Sequence, residues 1–287
     1  MIAGVRLAWG VLVANRKVSI VTPSYNQAAY LEETIQSVLS QDYPNLEYII
    51  VDGGSTDGSV EIIKKYESQL AYWVSEPDAG QAAAINKGFK RSTGEVLAWL
   101  NSDDKYAKGA IRKVMGRFNN DDQLALVYGD YFCFTNAGQI IAKPKIAFDF
   151  NIALYVYLMI PQPSSFWTKS LYDNLGGLNE NFHFAFDYDF FLRAGRYLKN
   201  KPGSIRHEQD YFSYFRLHDE SKTIRQQEKF KQERQKIREQ FDYLSRPRML
   251  KKALKIFYWT KTLYAFYTQR GFVPLRNEVT KRVDESV

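Results

Sequence analysis

The chain of 287 residues has one cysteine, Cys133, and only three histidines. A single cysteine excludes an internal disulfide and any metal site built from cysteines, and it fits a reducing compartment. We expect Cys133 to be a small buried apolar residue. No apolar run reaches the about 18 residues that cross a bilayer. Residues 1–16 read as a loose N-terminal extension, since their apolar run is short and broken by Gly10.

Several cofactor and catalytic motifs are also missing. The G-x-G-x-x-G pattern of dinucleotide-binding folds does not follow the first predicted strand, and "DGGSTDG" lacks the Gly-Lys-Ser/Thr ending of a P-loop. Neither H-E-x-x-H nor G-x-S-x-G occurs. These absences argue against a dehydrogenase, a P-loop NTPase, a zinc protease of that class and an α/β-hydrolase.

The composition is that of a globular protein, with 45% hydrophobic, 25% charged and 15% aromatic residues. It suits one large domain with an appendage. The net charge of +7 allows nucleic acid, anionic lipid or phosphate-bearing substrates as partners. Residues 245–270 contain no acidic residue, so the tail helps to explain the basic charge without nucleic acid. No nucleic-acid recognition motif is present, and we expect no such partner.

Predicted strands and helices alternate through the first hundred residues. The strands are "KVSIVTPSYN", "LEYIIVDGGSTDGS", "AYWVSEPDAG" and "GEVLAWL", with amphipathic segments between them. This order predicts right-handed βαβ units and a parallel sheet. Such sheets bind ligands beyond the carboxyl ends of their strands. Each strand here ends in polar residues, at 22–26, 52–57, 78–81 and 101–104, which predicts a site at that edge.

The stretch "WLNSDDKY" places Asp103 and Asp104 after a buried strand. Adjacent carboxylates repel each other and are costly to bury. Asn, Ser and Asp are ordinary turn residues, so a turn is one explanation. A cation that needs both carboxylates is the other. The shared edge of four polar strand ends favours the cation.

Five segments, in order, resemble the family 2 glycosyltransferases, which have the GT-A fold. They are "VSIVTPSYNQAAYLEETIQSVLSQDYPNLEYIIVDGGSTDGS", "EPDAGQAAAINKGF", "GEVLAWLNSDDKY", "QPSSFWTKSLYDNLGGLNENFHFAFDYDFFLR" and "FRLHDESKT". The resemblance implies an α/β, Rossmann-like, mostly parallel sheet flanked by helices. It also implies inverting transfer of a sugar from a nucleotide-diphosphate sugar, with UDP favoured, to an acceptor hydroxyl. Cell-surface polysaccharide or glycolipid synthesis, with a saccharide or lipid-linked acceptor, is the expected setting.

The resemblance also implies roles for residues at the donor edge. Asp103 and Asp104 occupy the D-x-D region, one on the ribose and one on a divalent cation, Mn²⁺ or Mg²⁺. Asn101 stands where many members have the first Asp, which leaves open which of the two holds the metal. His218 is a candidate third metal ligand or phosphate contact. The remaining nucleotide-binding candidates are Thr22, Pro23 and Tyr25 in the base pocket, Asp52 on the base, and Asp78, Gln81 and Asn86 nearby, which capping or surface exposure would explain equally well.

On the acceptor side, Asp187 matches the family's catalytic base. Phe186 replaces the Glu that often precedes it. Asp189 cannot share a helix face with Asp187, being two residues away, and is expected to be structural and paired with Arg193 at i+4. Arg216 and Lys222 either meet phosphates as a loop closes or are ordinary solvated residues.

We divide the chain into an extension at 1–16, a GT-A domain at 17–225 and an amphipathic basic helical tail at 226–287. In the first part of the tail, a thin apolar seam predicts a helix lying on the domain or a partner. Its members are Phe230, Ile237, Phe241 and Leu244. In the second part, an apolar stripe flanked by lysines predicts docking on an anionic membrane surface. The stripe comprises Leu250, Ala253, Leu254, Phe257, Tyr264 and Ala265.

The tail has an alternative, a helix packed on the domain with a basic outer face. With membrane docking, the protein would be cytoplasmic and peripheral at the inner face of the membrane. Two other functions compete with the transferase. A sugar nucleotidyltransferase usually has a Gly-rich basic loop after its first strand, and "TPSYNQ" has neither Gly nor a basic residue. The protein could also be a membrane scaffold that binds a nucleotide sugar without catalysis. Phe186 in place of the usual Glu favours this hypothesis, but the presence of Asp187 argues against it.

Overall fold

The computed structural model describes residues 15–218, 226–241 and 247–270. Most of the predicted N-terminal extension, together with Lys222, Leu244 and the end of the tail, lies outside the described residues. The strands are β1 Val18–Ser24, β2 Leu46–Asp52, β3 Tyr72–Ser75, β4 Val96–Trp99, β5 Lys105–Tyr106, β6 Leu126–Thr135, β7 Ile140–Lys143, β8 Ser165–Thr168 and β9 Ile205–Leu217.

Helices lie between many of these strands, and two more follow β9. They are α1 Ala28–Leu39, α2 Ser59–Lys65, α3 Gln81–Arg91, α4 Ala110–Asn120, α5 Phe150–Tyr155, α6 Lys169–Asn174, α7 Phe186–Tyr197, α8 Gln227–Glu239 and α9 Arg248–Arg270. Short 3₁₀ turns occur at Glu67–Gln69 and Gln162–Ser164. The predicted strand and helix order through Trp99 is confirmed.

The described strands form one sheet in the order β3-β2-β1-β4-β8-β6-β9-β5, with β7 paired to β6. The first four strands are parallel, as predicted. Beyond β4 the sheet is mixed, because β8 runs antiparallel to both β4 and β6 while β6 and β9 are parallel. The carboxyl ends of β1, β2, β3 and β4 therefore lie along one edge.

Apolar side chains alternate between the two faces of this sheet. On β1, Ile20 packs with α1 and α4, whereas Val21 packs with α3 and α7. On β4, Leu97 and Trp99 face the α3 and α7 side, and Ala98 faces the other side. Both faces are covered by helices, which is why the parallel strands are nearly continuous apolar runs. Cys133 is buried, as expected.

Helix α8 lies on the domain, because its seam joins the core that contains α3 and α7. Ile237 is completely buried, and Phe230 and Phe241 pack beside it. This confirms the prediction that the segment is a helix lying against the domain.

Helix α9 is docked on the domain by one of its faces. Leu254 and Ala265 of the predicted stripe pack against the domain core, and Tyr258 stacks on Tyr155 of α5 with ring centroids 5.4 Å apart. At its end, Arg270 donates to both carboxylate oxygens of buried Asp130, at 2.6 and 2.5 Å. The predicted stripe is thus divided, since two of its members face the protein. Among the described helices, none combines the length and apolar character needed to span a membrane.

Candidate active site

The loops after β1 and β2 are tied together at the sheet edge. Asn26 adopts a left-handed backbone with φ of 50°, and its Oδ1 accepts the backbone N–H of Thr56 at 3.0 Å. Asp57 Oδ2 accepts the N–H of Ala28 at the start of α1, at 2.8 Å. Because each loop satisfies the other's backbone groups, the edge is fixed before any ligand arrives.

Asp52 is completely buried at the end of β2. Its Oδ2 accepts the N–H groups of Gly54 and Ser55 at 3.1 and 2.8 Å, and the Ser75 hydroxyl at 2.7 Å. These bonds shape the Gly-rich turn and join it to β3. The geometry favours a turn-forming role, and direct contact with a base stays a prediction.

Gly53, Asp78 and Tyr25 pack together beside that turn. A Cβ on Gly53 would lie 2.9 Å from Asp78 Oδ2 and 3.2 Å from the Tyr25 ring, so these three residues are in close contact. The Tyr25 side chain is 63% exposed, which suits stacking on a planar base. Thr22 and Pro23, by contrast, are buried, and the Thr22 hydroxyl bonds Tyr48 Oη at 3.0 Å.

Asn86 uses its side-chain amide to hold a loop. Its Oδ1 accepts Tyr172 Oη at 2.6 Å and the Leu178 N–H at 3.0 Å. Its Nδ2 donates to the Leu178 carbonyl at 2.9 Å and to Glu180 at 2.7 Å. Among the two readings of Asn86, this arrangement favours the structural one.

Asp103 and His218 meet at the end of β4. His218 Nε2 lies 3.0 Å from Asp103 Oδ2, and the His218 side chain is only 5% exposed while that of Asp103 is 23% exposed. His218 Nδ1 is buried and has no hydrogen-bond partner within the described residues. The structure thus brings together two of the three predicted metal ligands.

The third, Asp104, is completely buried next to them. Its Oδ1 accepts the Arg216 N–H at 3.0 Å and its Oδ2 accepts Asn101 Nδ2 at 3.3 Å. Burial, and then the Asp103 carboxylate, raise the pKa of Asp104 well above its ordinary value. Both oxygens are therefore engaged by the protein, and the geometry favours Asp103 over Asp104 for a cation.

Asn101 puts a neutral amide, and not a third carboxylate, next to Asp103 and Asp104. Its Oδ1 accepts Gln81 Nε2 at 2.8 Å, and its Nδ2 also donates to Gln162 Oε1 at 3.1 Å. Gln162 in turn donates to the Trp99 carbonyl at 2.7 Å. An amide can donate to Asp104, whereas an aspartate at position 101 would repel it. Gln81 thus reaches the donor edge through Asn101.

A divalent cation fits the Asp103 and His218 pair. No group of three or more His, Cys, Asp and Glu residues is arranged to hold a metal within the described part of the chain. Mg²⁺ and similar ions, however, commonly take one or two protein ligands and complete their shell with substrate phosphates and water. A partly exposed carboxylate oxygen beside a buried imidazole provides such a donor set.

Arg216 is committed to the protein. Its Nε donates to the Asp103 carbonyl at 2.9 Å and its Nη1 to Asn136 at 2.8 Å, and Nη2 pairs with Glu33. The guanidinium also lies over the Phe134 ring at 4.3 Å. Arg216 was predicted to be a phosphate contact or a solvated residue. It is instead buried, and it holds the backbone of Asp103 by a hydrogen bond.

Asp187 and Asp189 lie in the first turn of α7. Asp187 Oδ1 accepts the N–H of Tyr188 at 2.7 Å, and burial raises the pKa of Asp187 while Arg234 opposes the rise. Asp189 is completely buried and pairs with Arg193 at 2.7 Å. The predicted i+4 ion pair is confirmed.

Two contacts bring the acceptor-side segment to the donor edge. The Phe186 ring lies 5.9 Å from the Trp99 ring at the end of β4. A Cβ on Gly80, just before α3, would lie 3.4 Å from His183 Nδ1. Phe186, where the family often has Glu, is thus a packing residue that seats the start of α7 on β4.

Sequence reasoning missed several residues that build the site. Gln162 lies inside the segment "QPSSFW", which the resemblance had already singled out. Asn136 and Glu33 contribute to the site only through their contacts with Arg216. Glu233 and Arg234 of α8 contact the start of α7. No local signal pointed to them, because each is some 50 residues from its partner.

Comparisons with known proteins show the family and the fold. The family model "Glycosyl transferase family 2" matches residues 19–174, more than half of the chain. The chain is 43% identical over 129 residues to the putative teichuronic acid biosynthesis glycosyltransferase TuaG of Bacillus subtilis. That match covers 44% of this chain and about half, 51%, of TuaG.

Two solved structures share the fold. Staphylococcus aureus TarS 1-349 in complex with UDP-GlcNAc has a TM-score of 0.63 at 20% identity, covering 91% of this chain and 77% of that one. The mannosyltransferase PcManGT from Pyrobaculum calidifontis, in complex with GDP-Man and Mn²⁺, has a TM-score of 0.57 at 17% identity, covering 90% and 77%. At these identities the likeness shows the fold alone. The family model, however, matches most of the strands and helices that build the donor edge, and the chain belongs to glycosyltransferase family 2.

Proposed function

We propose that this protein is an inverting glycosyltransferase that moves a sugar from a UDP-sugar to an acceptor hydroxyl, with Asp187 as the catalytic base. The observation that carries the proposal is the packing of Phe186 on Trp99. It seats the first turn of α7, which bears Asp187, against the carboxyl end of β4, and Asp103 follows that strand end and meets His218, which follows β9. This contact supports the proposal that an acid for the acceptor and a cation site for the donor adjoin each other.

Each residue has a chemical task in this account. The exposed Tyr25 ring, with Gly53 and Asp78, forms the base cradle. Asp103 and His218 would hold Mn²⁺ or Mg²⁺, which when bound neutralises the negative charge that develops on the leaving diphosphate. Asp104 stays buried and orients Asn101 and β9.

Asp187 takes the proton from the attacking hydroxyl. A base must reach that proton directly, and a carboxyl pKa raised by burial makes a stronger proton acceptor. The aromatic surroundings of Asp187, with Phe186 and Tyr188 both buried, keep competing water from the reaction. Attack on the face opposite to the leaving diphosphate inverts the anomeric carbon.

The relatives support the donor and the setting. TarS and PcManGT are described with UDP-GlcNAc and with GDP-Man and Mn²⁺, and TuaG is named for teichuronic acid biosynthesis. We propose a hexosyl donor and a cell-surface saccharide or lipid-linked acceptor.

The outer face of α9 extends the proposal to a membrane surface. The exposed large apolar residues of this helix are Met249, Leu250, Ile256, Phe257, Trp259, Tyr264 and Tyr267. Lys252 and Lys255 are exposed on the same helix. Because its opposite face is already packed on α5, an apolar surface remains that suits the headgroup region of an anionic bilayer. Peripheral docking there, on the cytoplasmic side, would bring a lipid-linked acceptor to Asp187.

A donor panel tests the function. Nucleotide release is measured from UDP-, GDP- and dTDP-sugars with Mn²⁺, with and without saccharide acceptors. Acceptor-stimulated release from a UDP-sugar is the expected result. Binding without release from any donor would favour a non-catalytic scaffold, and pyrophosphate-dependent formation of nucleotide sugars would favour a nucleotidyltransferase.

A further inference from the structure

Helix α8 is hydrogen-bonded to the backbone of the turn that leads into α7 and Asp187. One carboxylate, that of Glu233, accepts three successive backbone N–H groups, those of His183 at 2.9 Å and of Phe184 and Ala185 at 2.8 Å each. These residues immediately precede α7, whose N-cap residue Ala185 supplies no side-chain cap. A carboxylate from another helix thus satisfies donors that the local sequence leaves open.

The next residue of α8 faces the same turn. The Arg234 guanidinium lies over the Tyr188 ring at 5.2 Å, and Arg238 donates to Tyr188 Oη at 3.0 Å. Tyr188 Oη also bonds the Ala153 carbonyl of α5 at 3.0 Å. The residue next to Asp187 is therefore held between two arginines of α8 and the domain.

Arg234 and Glu233 are also the charged groups that act on Asp187. Burial raises the pKa of Asp187, the Arg234 charge lowers it and the Glu233 charge raises it. The Arg234 Nε is buried without a hydrogen-bond partner inside the described ranges. A buried donor without a partner calls for an explanation, and the nearby Asp187 carboxylate offers one.

We propose that Glu233 and Arg234 are positioning residues of the transferase: Glu233 fixes the backbone of residues 183–185, and Arg234 packs on Tyr188 and so holds the turn that bears Asp187. This inference rests on the proposed function, because it takes Asp187 as the base. It makes α8 part of the catalytic unit, although the helix lies beyond the segment matched by the family model.

The test compares Glu233→Gln and Arg234→Gln with Lys236→Gln, an exposed basic residue on the same helix. The pH dependence of kcat/KM is measured with UDP-sugar, beside donor affinity and melting temperature. Without Arg234 the pKa of Asp187 rises. The acid limb of the profile, which is the pH range where kcat/KM falls as Asp187 is protonated, therefore moves to higher pH. Without the Glu233 charge the pKa falls, so the limb moves to lower pH.

Both variants are expected to lose about tenfold or more in kcat, because a base displaced by a fraction of an ångström reacts far more slowly. Donor affinity is expected to stay within about twofold of wild type, since these residues meet no part of the nucleotide in this account. Arg234→Lys, which keeps the charge, is expected to restore the limb. Lys236→Gln is expected to behave as wild type.

A general loosening of the fold would not move the acid limb to higher pH in Arg234→Gln and to lower pH in Glu233→Gln. If both limbs stay in place, or both move in one direction, the positioning role is wrong. Asp187→Asn is measured in parallel to separate the two proposals. An active Asp187→Asn would overturn the base assignment itself, whereas an inactive one with unmoved limbs would overturn only the role of α8.

Discussion

Two pairs of aspartates, one at the sheet edge and one on a helix, are organised alike. At the edge, Asp104 is buried and bonded by its neighbours while Asp103 remains partly exposed beside His218. On α7, Asp189 is buried and ion-paired while Asp187 is only partly buried. In both pairs the member tied to the protein fixes the backbone that presents the other. In each pair one acid is engaged by the protein, and we propose that its neighbour takes part in the chemistry.

The two pairs differ in what holds them. Asp104 is bonded by neutral amides of Asn101 and Arg216, within a single sheet. Asp189 is neutralised by Arg193 one turn later on its own helix, and Asp187 depends on charges from α8. The groups that hold Asp104 thus lie on or next to the strands. The turn before Asp187, by contrast, is held by α8, which follows the last strand.

The largest effect is expected from Asp187→Asn. Removal of a general base lowers the rate by about 10²–10⁴-fold, while donor affinity should hardly change because the base meets the acceptor. In the wild type, the raised pKa of Asp187 places the acid limb of kcat/KM above the ordinary aspartate range, since the base works only when unprotonated. Steady-state kinetics across pH check both points, and wild-type turnover in the variant would remove Asp187 from the mechanism.

Asp103→Asn sharpens the comparison within the edge pair. A charged contact is worth about 1.5–3 kcal/mol, so UDP affinity in Mn²⁺ should fall tenfold or more. Asp104→Asn, whose side chain touches only protein groups, should mainly lower the melting temperature. Calorimetry of UDP binding in Mn²⁺ and in EDTA distinguishes them. Undiminished UDP affinity of the wild type in EDTA would rule out the cation, and the aspartates would be turn residues.

Asp189→Asn is expected to act on stability alone. It leaves Arg193 with its bonds to the Leu175 and Gly177 carbonyls but removes a buried charged partner, a loss of about 1–3 kcal/mol in the free energy of unfolding. Urea titration measures it, with Asp173→Asn as an exposed i,i+4 control. A variant as stable as wild type but inactive would assign the base role to Asp189 instead.

The smallest effect on turnover is expected on the outer face of α9. Each basic side chain near an anionic surface contributes about 1 kcal/mol, so replacing both Lys252 and Lys255 by Gln should lower vesicle partitioning about tenfold or more. Donor turnover in solution should not change. Sedimentation with phosphatidylserine vesicles, with Tyr197→Ser as an exposed control on α7, checks it. Equal sedimentation of variant and wild type would contradict membrane docking through this helix.

The donor edge could be predicted because its signals are local. Each strand carries its own polar end, and parallel pairing brings those ends together whatever the details. The division of roles could not be predicted, since Asp104 bonds Arg216, 112 residues away. From sequence, Asp52 looked like a base contact and Asn86 suited a ligand contact or a capping or surface role equally well. Their hydrogen bonds go instead to the adjoining loop and strand and to the loop after α6. The grip of Glu233 on residues 183–185 depends entirely on tertiary packing.

The most direct test of the two-pair account is acceptor-dependent nucleotide release per folded molecule, measured together for Asp103→Asn, Asp104→Asn, Asp187→Asn and Asp189→Asn. The account predicts that the Asp103 and Asp187 variants fold as wild type and are nearly inactive. It predicts that the Asp104 and Asp189 variants are less stable but retain most of their turnover once corrected for the folded fraction. Full turnover at Asp103→Asn or Asp187→Asn, with well-folded but inactive Asp104 or Asp189 variants, would contradict it.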